Sequence, residues 1–121
     1  MTPELTIILK ILISLSILNV WLIRFNRSSI WRGGNSLDMK GEFEVYGLPN
    51  WSVTLVGFLK VGSAIALIGS IWYEFLEKPS IYMIAVLMIG AIFMHVKVGD
   101  PFLKSIPASI LFIISCLLIS I

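Results

Sequence analysis

Charge is scarce in this chain, and so are the residues that usually carry chemistry. Only 13% of its 121 residues are Asp, Glu, Lys or Arg, against 58% hydrophobic. Soluble domains hold about 25% charged and roughly 45–50% apolar residues. A mean hydropathy of +0.98 therefore excludes an ordinary water-soluble domain, because the apolar excess has to face lipid. The single cysteine, Cys116, rules out an intrachain disulfide, a CxxC redox pair and a cysteine-only metal site. The single histidine, His95, rules out haem ligation through two histidines of this chain, and no metal centre is expected. A net charge of +2 offers no basic face for nucleic acid.

What is present is hydrophobic length. At roughly 20 residues per span the chain has room for about four transmembrane helices and nothing for a soluble catalytic domain. The expected fold is an all-α integral membrane protein, a four-helix bundle forming one domain over residues 1–121, with spans near 5–25, 50–73, 80–98 and 101–121. The run Leu5 to Ile23 lacks a preceding basic stretch and a small-residue cleavage site, so it reads as a span and not a cleaved signal. Pro79-Ser80 opens the third span, and Pro107 marks a kink in the fourth. Gly99-Asp100-Pro101 reads as a helix-to-helix turn, with Asp100 capping the next helix. Trp21, Phe25, Trp31, Tyr46 and Trp51 are expected at one interface, and Trp72, Tyr73 and Tyr82 at the other. Small residues at Gly57, Gly62, Ala66, Ser70 and Gly90 suit closely packed helices.

Between the first two spans, Leu37 to Tyr46 places Met39, Phe43 and Tyr46 on one helical face and Lys40 four residues before Glu44. That pattern predicts a short amphipathic helix at the interface, ended by Gly47-Leu48-Pro49. On this reading Glu42 or Tyr46 turns toward His95, near the end of the third span. Glu44 stays with Lys40 on a solvated face. Lys10 snorkels out of the first span, Arg24, Arg27 and Arg32 set topology and touch lipid phosphates, and Cys116 packs as a small residue.

Lys60 stands out. It follows Trp51 by nine residues, about 14 Å along a helix and so near the midplane of a hydrocarbon core roughly 30 Å thick. A central lysine costs at least about 2.5–3.5 kcal/mol on insertion scales. It is either tolerated, uncharged or solvated by carbonyls and water, or it meets an anionic or quinone-like ligand or a partner's carboxylate. Lys60, His95, Glu42 and Tyr46 are the candidate ligand-binding residues; no catalytic residue is identified.

The segments WRGGNSLDMKGEFEVYGLPNW, VGFLKVGSAIALI and VLMIGAIFMHVKVGDP resemble the DoxX-like family of small four-helix membrane proteins. The motif positions include Gly33, Gly34, Gly47, Pro49, Gly99, Asp100 and Pro101. Many family members look to have glutamate at the position of Lys60, so a role for that glutamate does not transfer. The family takes its name from a subunit of a thiosulfate:quinone oxidoreductase. The resemblance therefore implies an accessory subunit of a membrane oxidoreductase, with quinone as the candidate cofactor, nothing covalently bound, and a redox subunit as partner besides the lipid bilayer. A homo-oligomer, a structural or assembly role without ligand, and a small transporter remain alternatives. The last is weak, because four-helix exporters of this size depend on a carboxylate in the first span.

Apart from Lys10 and Lys60, one side of the membrane holds Arg24, Arg27, Arg32, Lys40, Lys97 and Lys104, and the other holds only Lys78. The positive-inside bias then puts both termini outside the cytoplasm, in what is expected to be a bacterial inner membrane. Reporter fusions test this. A periplasm-active reporter at the C-terminus should be active and a cytoplasm-active one silent, and the reverse result overturns the orientation.

Overall fold

The computed structural model describes residues 2–120. Among the described residues five α-helices form, four of them in the long apolar segments: α1 (Pro3–Leu18), α2 (Met39–Val45), α3 (Asn50–Gly69), α4 (Glu77–Lys97) and α5 (Ile106–Ser120). Four segments, Pro3–Ile23, Asn50–Gly69, Glu74–Lys97 and Phe102–Ser120, are long and apolar enough to cross a bilayer. The chain is a multi-pass membrane protein. Its lipid-facing side chains are what water would reject: Phe58 is 76% exposed and Val86 63%.

Local chemistry sets the helix ends. Thr2 Oγ1 accepts the Leu5 N–H at 3.2 Å, and Pro3 opens α1 where its missing N–H costs nothing. Beyond Leu18 the helix widens into a π-turn, Asn19–Ile23, closed by Arg24 N–H donating to Asn19 O at 2.9 Å. The α4 helix begins at Glu77, before Pro79, because a proline in the first turn forfeits no helical hydrogen bond. For the same reason Pro107, second in α5, starts that helix and does not kink it; a 3-10 turn, Phe102–Ser105, precedes it. The expected end of the fourth span at Ile121 lies outside the described residues.

Packing follows chain order. The α3 helix lies between α1 and α4, α4 between α3 and α5, α1 and α5 touch only lightly, and α2 lies on α3. Along the first span the inward positions are Lys10, Ile13, Ser14 and Ile17 of α1 and Trp21 of the π-turn, a helical stripe. They meet Val53, Ala64 and Leu67 of α3, and Ile81, Ile84 and Met88 of α4 extend the core.

Several expectations fail here. Trp21 and Tyr46 are buried in the bundle instead of marking an interface, whereas Trp51, Trp72, Tyr73 and Tyr82 are exposed. Lys10 does not snorkel: it is buried, and its Nζ pairs with Glu77 Oε1 at 3.3 Å, joining the middle of α1 to the start of α4. Gly62 and Gly90 bring no helices together, since a Cβ on either would meet nothing within 4 Å. Cys116 is exposed on the outer surface of α5.

Gly57 is the close approach that matters. A Cβ there would lie 2.8 Å from Trp21 Cζ3, so the indole lies flush on bare backbone. Gly57→Val should displace Trp21 and destabilise the protein by about 1–3 kcal/mol, the usual cost of overpacking. Gly62→Val should not. Thermal unfolding of both variants in one detergent checks the contrast.

Candidate functional site

The site begins with two helix ends of the same design. At the end of α2, Leu48 N–H donates to Phe43 O and Gly47 N–H to Glu44 O, both at 3.0 Å. At the end of α4, Asp100 N–H donates to His95 O at 3.0 Å and Gly99 N–H to Val96 O at 3.1 Å. This is the Schellman pattern, and its left-handed position falls on Gly47 (φ +78°) and Gly99 (φ +74°), where a Cβ would be strained. The motif folds Asp100 back onto the last turn of α4. Its Oδ2 then sits 2.8 Å from His95 Nδ1. Asp100 is thus a partner for His95 and not a cap for the following helix, whose first turn has no side-chain cap. The N-terminal cap of α2 is Asp38, whose Oδ1 accepts the Gly41 N–H at 2.7 Å.

Arg32 organises the connection between α1 and α2. It is 5% exposed, and no lipid phosphate can reach it. Its Nε donates to Arg27 O at 2.8 Å, and its Nη2 donates to Arg24 O at 2.6 Å and Phe25 O at 3.3 Å. Its Nη1 donates to Glu42 Oε2 at 2.8 Å. The other carboxylate oxygen of Glu42, Oε1, accepts the Tyr46 hydroxyl at 2.6 Å.

Tyr46 Oη also lies 3.4 Å from His95 Nε2. An ionised Asp100 can only accept, so in a neutral imidazole the proton sits on Nδ1 and Nε2 is a bare lone pair. The single phenolic proton serves one acceptor, and the short contact to Glu42 takes it. With the imidazole neutral, the longer contact to His95 then carries no proton. Burial, then the charge and hydrogen bond of Glu42, push the Tyr46 hydroxyl well above its ordinary value, so it stays a donor. Asp100 goes the other way. Burial alone would raise it, but hydrogen bonds from His95 and the Gly34 N–H, together with the nearby charges of His95 and Lys104, hold it below the usual carboxylate range.

The loop closes over this cluster. The Gly34 N–H donates to Asp100 Oδ1 at 3.0 Å, and Gly34 O accepts Lys104 Nζ. Lys97 Nζ donates to Tyr46 O at 3.2 Å. Gly33 lies against the tyrosine ring, where a Cβ would be 2.5 Å from Cε1.

Beside the cluster is a half-open groove of about 610 Å³ between the end of the first span, α2 and α3. Trp21, Phe25, Val53, Phe58 and Val61 give it apolar walls, and Lys40, Glu44, Asn50 and Thr54 give it a polar edge. Lys40 and Glu44 do not form the expected ion pair; the three pairs among the described residues are Lys10–Glu77, Arg32–Glu42 and His95–Asp100. Aromatic contacts run from Phe25 through Trp21, Phe43 and Tyr46 to His95, with centroids 5.7–6.1 Å apart.

Of the four candidates, the structure brings Glu42, Tyr46 and His95 together and leaves Lys60 apart. Lys60 Nζ stands 5.4 Å from the centroid of the Trp21 ring, within cation–π range. Sequence reasoning missed Arg32, Trp21 and the partnership of Asp100. One signal was available for Arg32, since Glu42 had no cation at helical spacing while Glu44 had Lys40. Among the described residues no three His, Cys, Asp or Glu side chains converge to hold a metal ion.

The depressed Asp100 fixes a sign. Its folded value lies below its unfolded one, so it contributes stability at neutral pH that is lost as pH falls through the carboxylate range, below about 3.9. Asp100→Asn should be less stable than wild type at pH 7, and the gap should close on acidification. Thermal unfolding across a pH series reads it; a gap independent of pH would mean that only the shape of the side chain matters.

Neither a curated protein nor a solved structure matches the chain. The sequence pattern of the DoxX-like family matches residues 17–118. That stretch takes in the π-turn, the Arg32 loop, both Schellman ends and all but the last turn of α5, and the chain belongs to the DoxX-like family.

Proposed function

We propose that this protein is an accessory membrane subunit that holds an amphipathic, quinone- or lipid-like ligand for a redox partner. The groove carries the reading. Apolar aromatic walls with a polar edge at one end suit a molecule with a polar head and a hydrocarbon body, and pockets of about 300–1,000 Å³ are the usual size for such ligands. Family membership supports a quinone as the headgroup. The chain itself brings no redox centre to this reading. Electrons pass through the partner, while α1, α2 and α3 position the ligand.

Photolabelling tests the proposal. With the protein in nanodiscs, an azido-quinone analogue should label Trp21, Phe25 and the first half of α3. Thr54→Trp, which fills the groove from its edge, should weaken labelling by about tenfold or more. Label spread evenly over all four spans, or unchanged by Thr54→Trp, would leave a structural or assembly protein without a ligand here.

A further inference from the structure

We propose that Lys60 anchors a carboxylate-bearing lipophile, an acid of the fatty-acid type, within the bundle; this deepens the ligand reading above and rests on it, since Trp21 is the wall common to Lys60 and the groove. Three cations reach into the bundle. Lys10 has Glu77 at 3.3 Å, and Arg32 has Glu42 at 2.8 Å. Lys60 forms no ion pair or hydrogen bond among the described residues, and its one contact of note is the face of Trp21. The acid whose charge reaches it is Glu42, and both Glu42 oxygens already serve Arg32 and Tyr46.

An ammonium in hydrocarbon needs acceptors and a counter-charge, and a ring face supplies neither a lone pair nor a full charge. The side chain is half-buried and so within reach. Its position selects the occupant. Lys60 lies on the inward side of α3, at helical spacing from buried Val53, Ala64 and Leu67, with α1 and α4 on either side. A partner's helix, about 10 Å across, has no room there. A carboxylate on a slender chain asks for far less space, and its tail would run along the apolar side chains beside Trp21.

The experiment compares a doxyl-labelled stearic acid with its methyl ester on the protein in zwitterionic nanodiscs, reading the immobilised fraction by electron paramagnetic resonance. Wild type should retain the acid about tenfold better than the ester. Lys60→Met should lose that preference and Lys60→Arg should keep it. Because Lys60→Met removes a buried charge, its thermal stability should equal or exceed wild type, which separates lost binding from lost folding. Equal retention of acid and ester by wild type, or full retention of the acid by Lys60→Met, overturns the inference. Azido-quinone labelling of the same variants distinguishes the two failures. Groove labelling without acid preference sinks only the Lys60 anchor; acid preference with labelling indifferent to Thr54→Trp sinks only the groove.

Discussion

The buried guanidinium of Arg32 is the constraint on which the α2 end of the bundle depends. The segment between the π-turn and α2 has no regular structure to satisfy its carbonyls, and buried carbonyls without donors are costly. Arg32 answers three of them, on Arg24, Phe25 and Arg27, and turns its remaining nitrogen to Glu42. Lysine could not do this, because a point charge lacks the planar fork of five donors. Stripping one partner from such a buried pair commonly costs about 3–5 kcal/mol, since the other is left uncompensated.

From that pair the polar cluster runs as a circuit. Arg32 fixes Glu42, Glu42 accepts the Tyr46 hydroxyl, Tyr46 meets His95, His95 meets Asp100, and Asp100 accepts from Gly34, two residues from Arg32. The Arg32–Glu42, Tyr46–His95 and Asp100–Gly34 links join different parts of the chain, so α2 is tied to α4 and to the loop at once. A helix of seven residues has little stability of its own. Here it is held by its two caps and by Met39, Phe43 and Tyr46 buried beneath it. The outer side of the same helix carries Lys40 and Glu44 to the groove, so the circuit also sets the position of the groove's edge.

Features governed by neighbours in sequence could be read before the structure. The four apolar spans, the amphipathic α2 with its Met39–Phe43–Tyr46 face, and the glycine ends at Gly47 and Gly99 all follow from spacing over a few residues. The meeting of Tyr46 with His95 was also legible, because a short helix placed after the first span has one bundle end to cover. What was not legible depends on distant pairs. Lys10 finds Glu77 across 67 positions, and nothing near Lys10 announces it. Trp21 looks like an interface aromatic until Gly57, on another helix, provides a bare surface for it. Asp100 was misread because Gly-Asp-Pro is a capping signal locally, and the Schellman turn gives its side chain a stronger partner in His95 than the next helix offers.

The treatment of charge also separates the two kinds of polar residue in this bundle. Where a cation only holds helices together, the fold supplies a carboxylate at contact distance, as at both ends of the molecule. Midway along α3 it supplies the Trp21 face instead, and Gly57 lets that ring come close. A purely structural position would be better filled by methionine, which keeps the length and avoids the desolvation cost. Retaining an amine there, half-buried and without an anion, makes sense if the missing charge arrives from outside the chain. The rigid cluster and the open groove then have complementary parts: the first fixes α2 and the end of α1, and that fixed edge keeps the second from collapsing when no ligand is present.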